Sequence, residues 1–154
     1  MDPSRGRGAG WPLAGLPQVG EDREGGRTSS AVPRRARRRG VTGRIVLAAT
    51  PIGNLGDASA RLRELLAEAD VIAAEDTRTA RRLCAGLGVT PAGRVVAHHE
   101  HNEAASTQGL LDQVRGGATV AVVSDAGMPT VSDPGYRLVA AAVSAGLPVT
   151  CAPG

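Results

Sequence analysis

Two groups of ionisable side chains in this 154-residue chain have the types and spacing that proton transfer requires. Glu75 and Asp76 stand together in front of a predicted helix, and His99, Glu100 and His101 follow a short apolar run. A carboxylate or an imidazole beside a hydroxyl group can remove its proton as a general base. These side chains are candidates for that chemistry, although Asp76 is equally suited to capping the helix and Glu75 to pairing with an arginine.

Metal binding is a second chemistry to consider, because three histidines lie within residues 98–101. The segment lacks the i, i+4 histidine pair of the H-E-x-x-H zinc motif, so we predict no metal site. Cys84 and Cys151 are the only cysteines, and each has apolar neighbours. We therefore predict two buried thiols in a reducing, cytoplasmic compartment.

A glycine-containing segment, Ala49–Asp57, separates a predicted strand from a predicted helix. Gly53 and Gly56 permit a ligand to approach the backbone closely, and the start of a helix attracts polar ligand groups. The segment lacks the G-x-G-x-x-G pattern of dinucleotide sites and the G-K-[ST] ending of phosphate loops, which disfavours NAD and ATP. On spacing alone, an ordinary strand-to-helix turn is an equal alternative.

Short apolar runs alternate with helical periodicity from Arg44 onward, and these elements must position the candidates. We predict a helix capped by Asp57, a second capped by Asp76 or Thr77, a third capped by Asn102, and a fourth opened by Asp133-Pro134. The order predicts an α/β fold in which a five-stranded, mainly parallel sheet has helices on both faces. Ligands of such sheets bind beyond the carboxyl ends of the strands. The predicted strands are residues 45–49, 71–74, 94–97, 119–123 and 148–151.

The first 42 residues differ in composition from the rest of the chain. They contain nine arginines and four acids, whereas residues 43–154 contain nine and eleven. They show no periodic apolar face, so we predict a disordered extension, with a mis-assigned start codon as an alternative. The arginine run at 34–39 could contact nucleic-acid phosphates. The longest apolar run, 138–143, is too short for a membrane helix, so we expect no membrane contact.

The segment at 49–57 resembles the opening signature of the ribosomal RNA small subunit methyltransferase I family. AEDTR at 74–78, HEHNE at 99–103, and VSDAGMP at 123–129 followed by SDPGYR at 132–137 resemble later motifs of that family, in the same order. The resemblance extends from about Arg44 to Gly154. It implies the N-terminal domain of the tetrapyrrole methylase fold, truncated before a second domain.

The resemblance also implies a function, namely S-adenosylmethionine-dependent 2′-O-methylation of a cytidine in small-subunit ribosomal RNA, with this chain an incomplete copy. It further implies the small ribosomal subunit as partner and a homodimer of the full-length enzyme. A tetrapyrrole methyltransferase and a non-catalytic RNA-binding module are the alternatives. On this basis the expected donor contacts are Thr50, Pro51, Gly53, Leu55, Asp125, Ala126, Gly127 and Pro129, the expected RNA contacts are Arg78, His99, Glu100, His101 and Asn102, and the expected catalytic residues are Glu75 and Asp76.

Overall fold

A computed structural model describes residues 43–129 and 134–153 of the chain. The predictions for the first 42 residues, including the arginine run at 34–39, and the predicted cap at Asp133 lie outside these ranges. The strands are β1 (Arg44–Ala48), β2 (Val71–Ala74), β3 (Arg94–Ala97), β4 (Thr119–Val123) and β5 (Val149–Ala152). The helices are α1 (Ala60–Glu68), α2 (Thr77–Gly86), α3 (Glu103–Arg115) and α4 (Pro134–Ser144).

The five strands form one sheet in the order β3-β2-β4-β1-β5, and every neighbouring pair is parallel. The predicted α/β fold is therefore confirmed. Helices cover both faces, because strands buried on both sides need an apolar partner on each. One core packs α1 and α2 on the sheet through Leu62, Leu66, Ala80, Cys84, Ile72 and Ala121. The other packs α3 and α4 through Leu110, Leu111, Val114, Leu138, Val71 and Val120.

Two of the predicted helix caps are wrong in detail. Ser59 caps α1, since its hydroxyl accepts a hydrogen bond from the Leu62 amide at 3.1 Å. Asp57 instead ends a short 3-10 turn over Leu55–Asp57. Asn102 occupies the capping position of α3, but its side chain makes no hydrogen bond to that helix. Aspartate and serine both cap helices well, so residue type alone could not distinguish Asp57 from Ser59.

The prediction of two buried thiols is correct for Cys84 and wrong for Cys151, which is exposed. Burial raises the pKa of the Cys84 thiol. Cys151 is exposed because β5 lies at the edge of the sheet, where side chains have fewer neighbours. Within residues 43–129 and 134–153, no helix has the length and apolar character needed to cross a membrane.

Candidate functional site

The carboxyl ends of β1 to β4 carry the predicted donor, RNA-contact and catalytic residues. β1 and β4 are neighbours, yet they lead into helices on opposite faces of the sheet. Such a switch point is where doubly wound parallel sheets bind their ligands. The loops contribute Thr50, Pro51, Gly53 and Leu55 after β1, Glu75, Asp76 and Arg78 after β2, His99, Glu100, His101 and Asn102 after β3, and Asp125, Ala126, Gly127 and Pro129 after β4.

Thr50 joins the loop after β1 to the loop after β4. Its amide donates to the Gly127 carbonyl oxygen at 2.7 Å. Its hydroxyl lies within donating distance of two carbonyl oxygens, those of Gly127 at 3.0 Å and Ser124 at 3.2 Å. The hydroxyl proton and the amide proton of Thr50 are therefore both used inside the protein, which leaves Thr50 only oxygen acceptors to offer a ligand.

Gly127 allows the loop after β1 to cross the loop after β4 closely. Its φ of +97° is a conformation that side chains disfavour. A Cβ atom at this position would lie 2.7 Å from Cδ1 of Ile52 and 2.9 Å from its Cγ1. Ile52 nevertheless remains 75% exposed. An apolar side chain is therefore held over the backbone of Gly127 while it is open to solvent on its other side.

Leu55 extends the same loop towards α2. A Cβ atom built on Gly86, the last residue of α2, would lie 2.7 Å from Cδ1 of Leu55. Leu55 is also partly open to solvent, at 45% exposure. The loop after β1 thus presents two accessible apolar side chains, Ile52 and Leu55, beside the switch point of the sheet.

Asp76 caps α2 and binds the arginine that follows it. Its Oδ1 accepts from the Arg78 amide at 2.8 Å, and its Oδ2 lies 3.3 Å from Nη2 of Arg78. The hydrogen bond from the Arg78 side chain, followed by that from the Arg78 amide, lowers the pKa of Asp76. A carboxylate held anionic in this way is a weak proton acceptor.

Asp125 lies near enough to Asp76 for the two charges to interact. The pKa of Asp125 is raised first by burial and then by the negative charge of Asp76. The proximity follows from the sheet, in which β2 and β4 are neighbours and their last residues, Ala74 and Val123, are paired. The loops after β2 and β4 therefore concentrate negative charge at the carboxyl edge.

A small recess of about 10 Å³, room for roughly one water molecule, lies behind this edge, and Glu75, His98 and Ser124 contribute its polar lining. Ala74 pairs with Ala97 on one side and with Val123 on the other. Glu75, His98 and Ser124 are thus the first residues after three laterally paired strand positions. Register alone brings these three side chains together. The remaining lining is Ala73, Val122, Val123, Pro129 and Gly135.

His98 and Ser124 were missed by the sequence reasoning, which favoured the neighbours of His98. Both are almost fully buried, at 3% and 7% exposure. Nδ1 of His98 lies 2.6 Å from Oγ of Ser106 on α3, so the ring is fixed by a hydrogen bond. Oγ of Ser124 accepts from the Ala126 amide at 3.1 Å. Their positions directly after predicted strands were the available signal, as for Glu75.

The loop after β3 holds the remaining predicted substrate residues. The Asn102 side chain accepts from the His99 amide at 2.9 Å and donates to the Ala97 carbonyl oxygen at 3.1 Å, which explains why it does not cap α3. The rings of His99 and His101 meet edge to face, with centroids 5.9 Å apart. His99 is half-buried, whereas Glu100 and His101 are exposed. This loop offers two accessible polar side chains on a braced backbone.

An ion pair connects α3 and α4, the two helices on one face of the sheet. Oε2 of Glu103, in the first turn of α3, lies 3.2 Å from Nη1 of Arg137 on α4. The Glu103 side chain is 8% exposed, whereas that of Arg137 is 77% exposed. The pair links the starts of the helices that follow β3 and β4, and so helps to fix the wall of the recess.

Comparisons with known proteins indicate the family of the chain. The sequence model of the family described as Tetrapyrrole (Corrin/Porphyrin) Methylases matches residues 44–154. The chain is also similar to three curated proteins named "Ribosomal RNA small subunit methyltransferase I". That of Mycobacterium bovis is 56% identical over 113 residues, which are 73% of this chain and 40% of the relative.

The other two relatives are more distant in sequence. That of Micromonospora olivasterospora is 50% identical over 113 residues, covering 73% of this chain and 36% of the relative. That of Halalkalibacterium halodurans is 47% identical over 112 residues, covering 73% and 38%. The chain therefore spans about two fifths of the length of the curated relatives that it matches.

Proposed function

The chain belongs to the tetrapyrrole methylase family, and from that premise we propose that it forms part of an enzyme that methylates a cytidine 2′-hydroxyl of small-subunit ribosomal RNA. The methyl donor in this proposal is S-adenosylmethionine. The observation that carries the proposal is the convergence of the four loop motifs at the switch point of the sheet, in a chain 56% identical to a ribosomal RNA small subunit methyltransferase I. The names of the relatives favour RNA over a tetrapyrrole as the substrate.

The residues at the carboxyl edge suit this donor. When bound, S-adenosylmethionine supplies an electrophilic methyl group on a positively charged sulfonium. The carboxylates of Asp76 and Asp125 interact with each other, so a cation placed near them would relieve their repulsion. The missing side chain of Gly127 lets Ile52 lie over its backbone, and Ile52 and Leu55 offer apolar contact to the adenosyl part.

Glu75 is the general base in this proposal. Asp76 is occupied by capping α2 and by Arg78, and its lowered pKa disfavours proton uptake. Glu75 instead lines the recess with His98 and Ser124. A carboxylate in that position would accept the proton of a ribose hydroxyl while the oxygen bonds to the methyl carbon and the carbon–sulfur bond of the donor breaks, which leaves a neutral thioether.

Positioning supplies much of the rate of such a displacement, because nucleophile and methyl group must lie in line. Thr50 locks the loops after β1 and β4 to each other, and the Glu103–Arg137 pair links the helices behind the recess. We assign contacts with the RNA to Arg78, Glu100 and His101, which are exposed, and to His99 and Asn102 beside them. These contacts would hold the ribose at the loops after β2 and β3, while the donor lies at the loops after β1 and β4.

The proposal is tested with the protein made from the complete reading frame that contains this sequence. Incubation with small ribosomal subunits and methyl-labelled donor should place label on a cytidine ribose, and a Glu75→Gln variant should lose most of that activity while it still binds donor. A Glu64→Gln variant, which changes an exposed carboxylate on α1, serves as the matched control. Label found only on small tetrapyrroles would overturn the RNA assignment in favour of that rival.

Two subsidiary expectations belong to the same proposal. The 154-residue chain alone should bind donor poorly, since the resemblance implies a cleft completed by a second domain, and micromolar affinity in calorimetry would contradict this. The longer enzyme should be a homodimer, which analytical ultracentrifugation tests. RNA binding without donor binding by that longer enzyme would instead support a non-catalytic module.

A further inference from the structure

The outward face of α2 carries three arginines. Arg78, Arg81 and Arg82 are spaced at offsets of zero, three and four residues, so they share one side of the helix. All three are exposed, whereas Ala80 and Cys84 are buried against the sheet on the opposite side. The helix contains no acidic residue, and it holds three of the nine arginines found between residues 43 and 154. We call Arg78, Arg81 and Arg82 the arginine face.

The guanidinium groups of this face are little used within the protein. Arg78 binds Asp76, but its side chain is still 80% exposed. In the part of the chain that the structure describes, neither Arg81 nor Arg82 forms an ion pair. Like charges three and four residues apart destabilise a helix. Among the described residues the cluster thus has one compensating pair, Arg78–Asp76, and is otherwise available to an anionic partner.

The position of the arginine face matters because the carboxyl edge itself is acidic. Glu75, Asp76 and Asp125 lie there, and they would repel the phosphates of an approaching polyanion. The arginine face begins in the first turn of α2, two residues after Asp76, and Arg81 and Arg82 lie within about 8 Å of the start of the helix along its axis. Positive charge thus adjoins the edge where the RNA must be held.

We propose that the arginine face binds the phosphate backbone of the RNA substrate, with Arg81 and Arg82 as phosphate contacts beyond the family motif that ends at Arg78. The inference rests on the proposed RNA substrate. Clustered guanidiniums displace the counterions of nucleic-acid phosphates, which gives attraction without base specificity. The RNA would then run from α2 across the carboxyl edge. The acidic side chains at that edge would repel its phosphates and attract the cationic donor.

The test measures binding of a short fluorescein-labelled single-stranded RNA to the full chain by anisotropy in a salt series. Each lost phosphate contact reduces the slope of log Kobs against log salt by about 0.7 for single strands. An R81Q/R82Q variant should therefore have a slope shallower by about 1.4. The ratio of the wild-type binding constant to that of the variant should then shrink about sevenfold between roughly 50 and 200 mM salt. R81K/R82K should retain the wild-type slope, because lysine also neutralises phosphate.

The matched control is R44Q/R94Q, which removes two exposed arginines at the amino ends of β1 and β3. Its slope should stay at the wild-type value. An unchanged slope for R81Q/R82Q, or an equal loss in the control, would overturn the inference. Donor calorimetry on the same substitutions in the longer enzyme separates the two proposals. If the longer enzyme binds donor and methylates RNA but R81Q/R82Q leaves the salt slope unchanged, only the arginine-face proposal is refuted. If R81Q/R82Q reduces the slope but no donor binds, only the methyltransferase proposal is refuted.

Discussion

Replacing Gly127 with alanine tests whether the crossing of the loops after β1 and β4 depends on the absence of a side chain. The φ of +97° costs alanine about 1–2 kcal/mol. The new Cβ would also lie 2.7 Å from Cδ1 of Ile52, and turning this exposed side chain away from its rotamer costs about 1 kcal/mol more. Gly127→Ala should thus lower the free energy of unfolding by about 2–3 kcal/mol.

Gly53→Ala is the matched control, because Gly53 has a similar φ of +85° and nothing lies within 4 Å of its Cβ position. It should show the backbone cost alone. Adding Ile52→Ala to Gly127→Ala should recover the contact cost and bring the double variant to the level of Gly53→Ala. Urea unfolding at constant m-value measures all three changes. Equal losses for Gly53→Ala and Gly127→Ala would refute the claim that Ile52 is held in place over Gly127.

Four further predictions concern the fold and its charges. Ser59→Ala should lower the free energy of unfolding by about 1 kcal/mol and Asp57→Ala by much less, since Ser59 caps α1, and the reverse order in urea unfolding would contradict this. Ser106→Ala should cost about 1–3 kcal/mol, because it leaves Nδ1 of buried His98 without this partner, and a thermal midpoint equal to wild type would argue against that bond. Asp76 has a pKa below its ordinary 3.8 in the folded state, so its contribution to stability is present above pH 3.8 and is lost as the pH falls through the folded value. Asp76→Asn should therefore flatten the decline of the free energy of unfolding at acid pH. The same substitution should lower the pKa of Asp125 in an NMR titration. Deleting residues 1–40 should leave the thermal midpoint of the domain within about 5 °C of wild type, and a larger fall would show that the extension contributes to the core.

Much of the sheet could be predicted from sequence. The bounds of Val71–Ala74, Arg94–Ala97 and Thr119–Val123 are those expected, because each is a short run of mostly β-branched or small residues that is followed by a polar residue. The parallel topology followed from the alternation of strands with helices. The loop motifs then fell at one edge as a consequence of that topology.

The errors arose where tertiary neighbours decide. The exposure of Cys151 depends on β5 being an edge strand, and nothing in its own sequence indicates the lateral order of strands. The use of the Asn102 amide to brace the loop after β3 depends on how that loop folds back on Ala97. The importance of His98 depends on Ser106 and on the strand beside it. Local pattern could identify the loops, but it could not identify which side chain in each loop faces the recess.

The alignment of Glu75, His98 and Ser124 has a consequence for how this protein can tolerate genetic change. Their placement depends on the number of residues along three adjacent strands and very little on which small apolar residues those strands contain. Conservative replacements in β2 should therefore leave the recess intact, whereas insertion or deletion of one residue there would turn Glu75 to the opposite face. A library of single-codon insertions and deletions across residues 71–74 should consequently lose function far more often than a library of valine, isoleucine and alanine exchanges at the same positions.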